Sequence, residues 1–365
     1  DALLAELDVT EPARLAGRPP VDLEAYSLYL RGRYAVRERR PESRREALTL
    51  VQRALEEDPE FAPAWALLAR LRTLGPFWRG FRDTMDYGTS RTLALEAAER
   101  AVRLEPELAR AHTMLGLVLS NHHEWDRAER HLERAVALNP SDPMARGVRL
   151  WHLASHGRWE EALEHARVRQ KLDPLYIPAN GNLAEMLMYA GRLEDAEVQW
   201  RHTVTLAGDD DAHASFVRSI QAKLFALQGR LEEAVATARS AYGPDTGSAE
   251  PGGSYYASQL AAMNALAGRE PTADSLLAEL RDRWDRAVRE PFRWLRAFDL
   301  ARVHAAMGRA DSAFLWLERS RPDRWRPLEV ARFRSDPWWA PIRTDPRFGS
   351  ILASAGVSGL AGQRQ

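Results

Sequence analysis

The hexapeptide GRWEEA at residues 157–162 recurs as GRLEDA at 191–196 and as GRLEEA at 229–234. Glycine ends a helix readily because it adopts a left-handed backbone conformation at low cost. Acidic residues suit the first turn of the next helix, where they meet the positive end of its dipole. The closing alanine is small enough for a neighbouring helix to pass close to it. The phrase therefore predicts the joint between two short, closely packed helices.

These joints belong to a 34-residue repeat, since Pro106, Pro140 and Pro174 follow one another at that distance. Between the prolines, apolar residues recur at helical spacing in two stretches, which predicts two amphipathic helices in each unit. Such a pair cannot bury its apolar stripe alone and has to stack on its neighbours. The alanine that closes each joint marks eight units: Ala47, Ala94, Ala128, Ala162, Ala196, Ala234, Ala273 and Ala313.

A helix–turn–helix of 34 residues with small residues and a late proline at fixed places resembles the tetratricopeptide repeat. The matching residues are Gly116, Ala128, Ala135, Pro140, Ala162, Ala166 and Pro174. The resemblance implies an all-α fold, namely a right-handed α-solenoid of about eight helix–turn–helix units with a C-terminal capping segment. It also implies a role in protein interaction.

The repeat pattern covers residues 24–320. We expect residues 1–23 to form a lead-in segment and residues 321–365 to form a cap and tail rich in Trp and Pro. Two interruptions are expected inside the array. An aromatic insertion occupies 75–90, and a loop rich in Gly, Ser and Pro occupies 242–254.

The two ends of the array carry a second resemblance. EAYSLYLRGRY at 24–34 and FRSDPWWAPIRTDPRFGSIL at 333–352 are similar to the entry and the close of repeat regions in bacterial signalling proteins. In those proteins the repeats follow a kinase, a cyclase or a DNA-binding regulatory domain. This implies an origin rather than an activity. A cytoplasmic location is favoured, or a periplasmic or extracellular one if the chain, which does not begin with Met, is a processed product.

Composition argues against several classes of partner. The net charge is −1, so no overall field favours nucleic acid or an anionic membrane. The basic stretch RGRYAVRERRPESRR at 31–45 is expected to be a solvated loop between helices rather than a phosphate-binding patch. No apolar run approaches the roughly 18–20 residues that cross a bilayer. We therefore expect neither nucleic-acid binding nor a membrane span.

Candidate chemistry is weak. His152 and His156 stand four residues apart with His165 nearby, a spacing that can share a metal, but no HExxH motif accompanies them. The chain has no Cys, which excludes disulfides and thiolate metal sites. Neither a nucleophile elbow nor a phosphate-binding loop is present. We therefore expect packed or solvated histidines, no metal, no cofactor and no enzymatic activity.

The first helix of each unit is expected to line a groove that binds a peptide or protein partner. A Lys and an Asn that clamp a terminal carboxylate in chaperone-binding relatives are replaced here by other residues, including Ala66 and Leu117. The repeat register places the following residues in the groove: Arg70, Arg110, Thr113, Trp151, Glu185, Lys223 and Arg302.

Two groups of aromatic residues leave an alternative open. Both could cover solenoid surface, the second as a cap, or both could present a patch to a second copy of the chain. In the second case the protein is structural and assembles into a homo-oligomer or filament through its ends and aromatic tail. The residues are Phe77, Trp78, Phe81 and Tyr87 in the insertion, and Trp325, Trp338 and Trp339 in the tail.

Overall fold

The structure is a computed structural model, and it describes residues 22–37, 41–74, 87–208, 211–242, 251–287 and 293–357. In these ranges the first sixteen α-helices follow one another as eight pairs, which confirms the all-α repeat fold. In chain order the pairs are α1 (Leu23–Arg37) and α2 (Pro41–Glu57), α3 (Ala62–Leu74) and α4 (Tyr87–Leu104), α5 (Ala109–Asn121) and α6 (Trp125–Leu138), α7 (Pro143–Ser155) and α8 (Trp159–Leu172), α9 (Ile177–Tyr189) and α10 (Leu193–Ala207), α11 (Asp211–Leu227) and α12 (Leu231–Ala241), α13 (Pro251–Leu266) and α14 (Glu270–Arg286), α15 (Arg293–Ala306) and α16 (Ala310–Arg319).

Four further elements follow the last pair. They are a 3-10 helix (Pro322–Arg324), α17 (Pro327–Ser335), a second 3-10 helix (Pro337–Ile342) and α18 (Pro346–Ser354). We call residues 321–357 the C-terminal segment. The elements from α17 onward each begin with proline at the first helical position, where the missing N–H costs no hydrogen bond.

The chain divides into two compact units, residues 1–118 and 119–365. In the first unit, α1 packs on α2 and α3 packs on α4. Its core includes Tyr29, whose ring meets that of Phe61 edge to face at 5.2 Å between centroids. At Gly32 an added Cβ would lie 3.0 Å from Val51 Cγ2, so α1 and α2 are in close contact there.

In the second unit, the two helices of each pair from α7 and α8 onward pack on each other, and the first helices α9, α11, α13 and α15 also pack in succession. All eight alanines that marked the repeats along the whole chain are at most 1% exposed. Their burial confirms that a small residue lies where the paired helix passes. Larger apolar side chains, among them Leu150, Met186 and Leu224, fill the space between pairs.

The joints adopt the predicted backbone. Gly157, Gly191 and Gly229 have φ of 75°, 79° and 78°, in the left-handed region that favours glycine. His123 takes the same position in the joint of α5 and α6 with φ of 61°, although it is not glycine. Its ring compensates in part by stacking on Trp125, with 5.0 Å between centroids.

The arginine of each joint has a role that the sequence did not reveal. It reaches back to an acidic residue on the second helix of the preceding pair. Arg158 donates to Glu129 at 2.8 Å, and Arg192 donates to Glu160 at 2.8 Å. The contact repeats along the second unit as Arg230–Glu197, Arg269–Glu232 and Arg309–Asp274, and Arg347, which lies on α18 rather than in a joint, makes a similar contact with Asp311 on α16. We call these six contacts the arginine ladder.

Two expectations on loops need adjustment. The basic stretch at 31–45 was expected to be a loop, but α1 runs to Arg37 and α2 begins at Pro41, so most of it is helical. Only 38–40 separate the helices, and they lie outside the described residues. The loop expected at 242–254 overlaps α13, which begins at Pro251. Positions 243–250 also lie outside the described residues.

Candidate functional site

The C-terminal segment lies against the first helices of the second unit. Its helix α17 packs on α7, and its second 3-10 helix packs on α15 and touches α11 and α13. We call the side of α7, α9, α11, α13 and α15 that meets this segment the inner face. It is the surface that repeat register assigned to partner binding.

Lys223 on α11 is the centre of the inner face and is fully buried. Its ammonium group forms an ion pair with Glu185 and lies 3.3 Å from the hydroxyl of Tyr189. On the side of the C-terminal segment, Asp336 Oδ1 lies 3.6 Å from Lys223 Nζ. The same carboxylate accepts a hydrogen bond from the Tyr189 hydroxyl at 2.8 Å.

Arg332 adds a second cation to this cluster. Its Nη2 lies 3.7 Å from Glu185 Oε1, and its guanidinium carbon lies 4.8 Å from the centroid of the Tyr255 ring. Two cations and two carboxylates thus meet in a buried site. Two of these charges, Lys223 and Glu185, come from the helix pairs, and two, Arg332 and Asp336, come from the C-terminal segment.

Both ion-pair partners on the helix pairs stay charged near neutral pH. Burial alone would raise the pKa of Glu185, but the charges of Lys223 and Arg332 outweigh it and hold that pKa below its usual value. Burial alone would lower the pKa of Lys223, but the charges of Asp336 and Glu185 raise it. Each charge therefore depends on its neighbours for its ionised form.

An aromatic contact lies beside the charged cluster. The guanidinium carbon of Arg302 on α15 lies 4.9 Å from the Trp338 ring centroid and 4.8 Å from that of Tyr255. Asp299 holds this guanidinium by a 2.9 Å hydrogen bond to Nη1. Cation–π contacts of this kind gain strength when water is excluded, as it is here. They fix both the tryptophan and the arginine.

Trp339 sits between Phe298 on α15 and Phe333 on α17, with centroids 5.3 Å and 5.0 Å away. Trp325 lies edge to face on Phe298 at 4.9 Å. Trp325, Trp338 and Trp339 have no exposed surface. They cover the inner face of their own chain and offer no aromatic patch in this arrangement.

The segment also reaches the other end of the second unit. Arg334 Nε donates to the backbone oxygen of Ser155 at 2.8 Å. A ring nitrogen of His123 lies 2.6 Å from the backbone oxygen of Trp325. At Gly356, an added Cβ would lie 2.7 Å from the indole nitrogen of Trp125. The C-terminal segment therefore joins α15, in the last pair of this unit, to α7 and to the start of α6.

The other residues assigned to the groove have varied placements. Trp151 is partly buried and packs on the core around Leu150. Arg70 and Arg110 are half-buried in the unit of residues 1–118, where Arg110 Nη1 lies 3.3 Å from the Tyr29 hydroxyl. Thr113 is fully buried and donates to the backbone oxygen of Ala109. Glu185, Lys223 and Arg302 are the ones that the C-terminal segment brings together.

The aromatic insertion is only partly described. Phe77, Trp78 and Phe81 lie outside the described residues. Tyr87 is the first residue of α4 and is 5% exposed. Its ring faces the guanidinium of Arg91, whose carbon lies 5.7 Å from the ring centroid. The Tyr87 ring is therefore largely withdrawn from solvent.

Sequence reasoning missed Asp336, Arg332, Tyr189 and Tyr255. Asp336 and Arg332 belong to the tail and have no place in the repeat register. The signal that could have revealed Asp336 is the short phrase DPWW, in which one proline separates a charged residue from two large aromatic residues. Charged residues are seldom fully buried unless they are paired, so such a phrase in a buried tail demands a cation elsewhere.

The histidines form a hydrogen-bonded chain that is similar in composition to a catalytic triad. Ser120 Oγ lies 3.0 Å from His152 Nδ1, and His152 Nε2 lies 3.1 Å from Glu129 Oε2. In a hydrolase triad the acid binds Nδ1 and the serine binds Nε2, which is the reverse arrangement. Ser120 and His152 are at most 1% exposed, so the hydroxyl is withdrawn from any substrate.

His156 packs against the same group and has a pKa lowered chiefly by burial. His165 accepts from Arg146 Nη1 at 3.2 Å. Over the described part of the chain, no three His, Asp or Glu side chains are placed to hold a metal ion. None of the helices there is long and apolar enough to cross a membrane.

Residues 113–176 match the family model described as tetratricopeptide repeat. This stretch runs from α5 to the turn before α9 and contains GRWEEA. The comparison with curated proteins found no match.

Several solved structures resemble the chain. PilW, a widely conserved type IV pilus biogenesis factor, is 18% identical, covers 60% of this chain and 92% of its own, and has a TM-score of 0.47. YrrB, a TPR protein with an unusual peptide-binding site, is 23% identical over 57% of this chain and 94% of its own, with a TM-score of 0.35. The yeast Tom70 is 16% identical over 93% of this chain and 69% of its own, with a TM-score of 0.49.

Proposed function

We propose that this chain is a non-catalytic protein-interaction scaffold whose inner face binds an extended or helical segment of a protein partner. One observation carries the proposal. Side chains or backbone of α7, α9, α11, α13 and α15 already hold one continuous segment of polypeptide on that face. A surface that holds one such segment through charges, hydrogen bonds and aromatic contacts has the chemistry to hold another.

The residues proposed to contact a partner remain those of the repeat register: Arg70, Arg110, Thr113, Trp151, Glu185, Lys223 and Arg302. Three of them, Glu185, Lys223 and Arg302, lie beneath the C-terminal segment, so a partner that touches these has to replace it. We also propose an origin in the repeat region of a bacterial signalling protein. The support for this origin is the sequence resemblance of residues 24–34 and 333–352.

The absence of catalysis is part of the proposal. In the chain of groups with triad composition, Ser120 and His152 are buried, Glu129 is partly exposed, and the two ring nitrogens of His152 bind the reverse partners. A nucleophile has to meet its substrate, and a fully buried hydroxyl does not. These groups instead join α5, α6 and α7 within the second unit.

Self-assembly is the alternative function, in which the aromatic residues of the tail bind a second copy of the chain. Trp325, Trp338 and Trp339 are buried in their own chain, so they could bind a second copy only after the C-terminal segment leaves the inner face. Size-exclusion chromatography with light scattering separates the two functions. A scaffold has the molar mass of a monomer across a wide concentration range, whereas the molar mass of a self-assembling protein increases with concentration.

Partner capture from the native source tests the scaffold directly. The inner-face variant is Trp151→Ala on α7, one of the residues proposed to contact a partner, and its matched control is Trp200→Ala on the second helix α10, because both side chains are partly buried against the same core. We expect the wild type and the control to retain the same partner and the inner-face variant to lose it. Circular dichroism checks that all three chains are folded. Retention of the same partner by both variants would place the interaction elsewhere.

A further inference from the structure

The C-terminal segment has the character of a ligand. We infer that residues 327–342 are a built-in ligand of the inner face, which a partner segment of like chemistry displaces. That partner carries a carboxylate, large aromatic residues that begin two positions after it, and a cation one helical turn before it. The inference rests on the proposed scaffold function and adds to it the chemical identity of the partner and the means by which access is controlled.

The charge arrangement favours a ligand over a permanent core element. Lys223 and Glu185 pair with each other across α9 and α11, so the inner face is neutral without the segment. The segment then adds Asp336 and Arg332, which are also a neutral set. Each half balances its own charge, so neither half is left with a net charge when they separate. A partner with one carboxylate and one cation restores all four contacts.

The contacts also favour an occupant with matching charged and hydrogen-bonding groups over one that is merely apolar and of similar size. Buried ion pairs add little net stability compared with well-packed apolar groups, but they penalise any occupant that fails to match them. The Tyr189 hydroxyl donates to Asp336, so an occupant without an acceptor at this place leaves a buried donor unpaired. The ammonium group of Lys223 beside it favours an acceptor with a negative charge, so a carboxylate is the group that fits this position.

Aromatic recognition follows directly along the segment. Trp338 meets the face of the Arg302 guanidinium, and Trp339 enters the space beside Phe298. Ser258 and Asp299 orient that guanidinium by hydrogen bonds. The arginine is thus held in place by the helix pairs themselves and is ready for any aromatic ring that arrives next to the carboxylate.

The fit of the segment is incomplete. Asp336 Oδ2, Glu185 Oε2 and Arg332 Nε are buried and have no hydrogen-bond partner in the described part of the chain. Each unmatched group weakens the contact, because it has given up solvation without a full replacement. A partner that satisfies these three atoms would bind more tightly than the segment does, which is the condition for displacement.

The covalent tether of the segment determines how tightly a partner must bind in order to displace it. A segment joined to its own site through a short link acts at an effective concentration of about millimolar. A free segment with the same contacts is outcompeted until the tethered one is weakened. The apparent affinity of a free segment then rises in proportion to the fraction of chains with an open inner face.

The experiment uses the full chain and a synthetic peptide with the sequence PLEVARFRSDPWWAPI, which is that of residues 327–342. The peptide carries a fluorophore, and fluorescence anisotropy measures its dissociation constant. The chain variant Asp336→Asn weakens the tethered ligand. Its matched control is Asp323→Asn, the same change in the same segment at a carboxylate that is 54% exposed.

We expect the peptide to bind the Asp336→Asn chain at least about tenfold more tightly than it binds the wild type or the Asp323→Asn chain. A peptide with Asn in place of its own aspartate should bind at least about tenfold more weakly than the parent peptide, because it brings no carboxylate to Lys223. Equal binding to all three chains, or no binding to a folded Asp336→Asn chain, overturns the inference.

A second variant keeps the test open if Asp336→Asn does not fold. Arg334→Ala removes the hydrogen bond to the Ser155 backbone and leaves the charged cluster intact. It should raise peptide affinity in the same direction. If neither variant folds, the segment is an inseparable part of the core and the inference is wrong. If Asp336→Asn makes the full chain dimerise, the occupant is a second copy and the inferred foreign partner is overturned.

Failure here is distinguishable from failure of the scaffold function. A chain that captures a partner in a Trp151-dependent manner but does not bind the peptide keeps its scaffold function and loses this inference alone. A chain that binds the peptide as expected but captures nothing through its inner face has a self-contained contact and no scaffold function.

Discussion

Replacement of Lys223 by methionine should destabilise the second unit strongly. Methionine keeps the apolar length of the lysine side chain but leaves Glu185 and Asp336 without their shared ammonium group. Arg332 remains, with Nη2 3.7 Å from Glu185 Oε1, so part of the charge stays compensated. Removing one partner of a buried pair costs about 3–5 kcal/mol, and we expect a loss in that range.

Urea unfolding followed by tryptophan fluorescence measures this loss. All but two of the 12 tryptophans, Trp65 and Trp78, belong to residues 119–365, so the signal reports mainly on that unit. At an unchanged slope against urea concentration, the shift in midpoint gives the change in the free energy of unfolding. If the unit of residues 1–118 unfolds in a transition of its own, the urea midpoint of that transition should be the same in the Lys223→Met variant and in the wild type.

The sequence provides a matched control, because its only other lysine is Lys171, which is exposed. Lys171→Met should change the free energy of unfolding by no more than about 0.5 kcal/mol. Adding Glu185→Gln to Lys223→Met removes one uncompensated charge and should recover about 1–3 kcal/mol. Equal effects of the two lysine substitutions, or no recovery in the double variant, would refute the reasoning on the buried cluster.

Three further predictions concern the joints and the titration of the second unit. Gly191→Ala should lower the free energy of unfolding by about 1–2 kcal/mol, because Gly191 has a φ of +79° and no neighbouring atom would clash with the added Cβ. Gly349→Ala, at an exposed position of helix α18, should raise that free energy by up to about 1 kcal/mol. Equal effects of the two substitutions in urea unfolding would contradict the backbone argument. Arg309→Ala should lower the free energy of unfolding by less than about 1 kcal/mol, because the ion pair of Arg309 with Asp274 is solvent-exposed. A small drop in the thermal midpoint measures this loss. Burial lowers the pKa of His165 to about 4, aided by nearby arginines, so below about pH 6.5 the unfolded chain takes up a proton that the folded chain refuses until about pH 4. Stability should therefore fall between those pH values, and His165→Gln should flatten that fall in urea midpoints measured at several pH values.

The helix pairs could be read from the sequence because their causes are local. Gly157 ends a helix by its backbone conformation, and Ala162 admits a neighbour by its size. Both effects act within one unit and recur in the next, so a single sequence already contains several independent copies of the same signal. The count of eight pairs follows from those copies.

The candidate site could be predicted only in part, because its other half is remote in sequence. The repeat register found Glu185, Lys223 and Arg302 on the first helices. It could not find that Asp336 returns to Tyr189 across 147 residues, since no periodicity links the tail to the repeats. The register also treated Lys223 as a groove residue open to a partner, whereas the segment buries it completely.

The arginine ladder was missed for a related reason. Arg158 was expected only to cross the turn, because a single unit contains no partner for it. The partner, Glu129, belongs to the preceding unit and differs in exact spacing from one pair to the next. Exposed pairs of this kind add little stability each, so they leave only a faint signal in composition.

The reach of the C-terminal segment has a consequence for how such an array can change its length. Repeat proteins gain and lose whole units, and the five ladder contacts from Arg158–Glu129 to Arg309–Asp274 join only successive pairs, so an added pair can reproduce them. The contacts of the segment would not survive such an event, because the segment touches α15 at one point and His123 and Trp125 at another. An added pair would increase the distance between these two contact points, and the segment could then keep its contacts at only one of them. Residues 321–357 therefore fix at five the number of complete pairs that can follow α6 in the second unit.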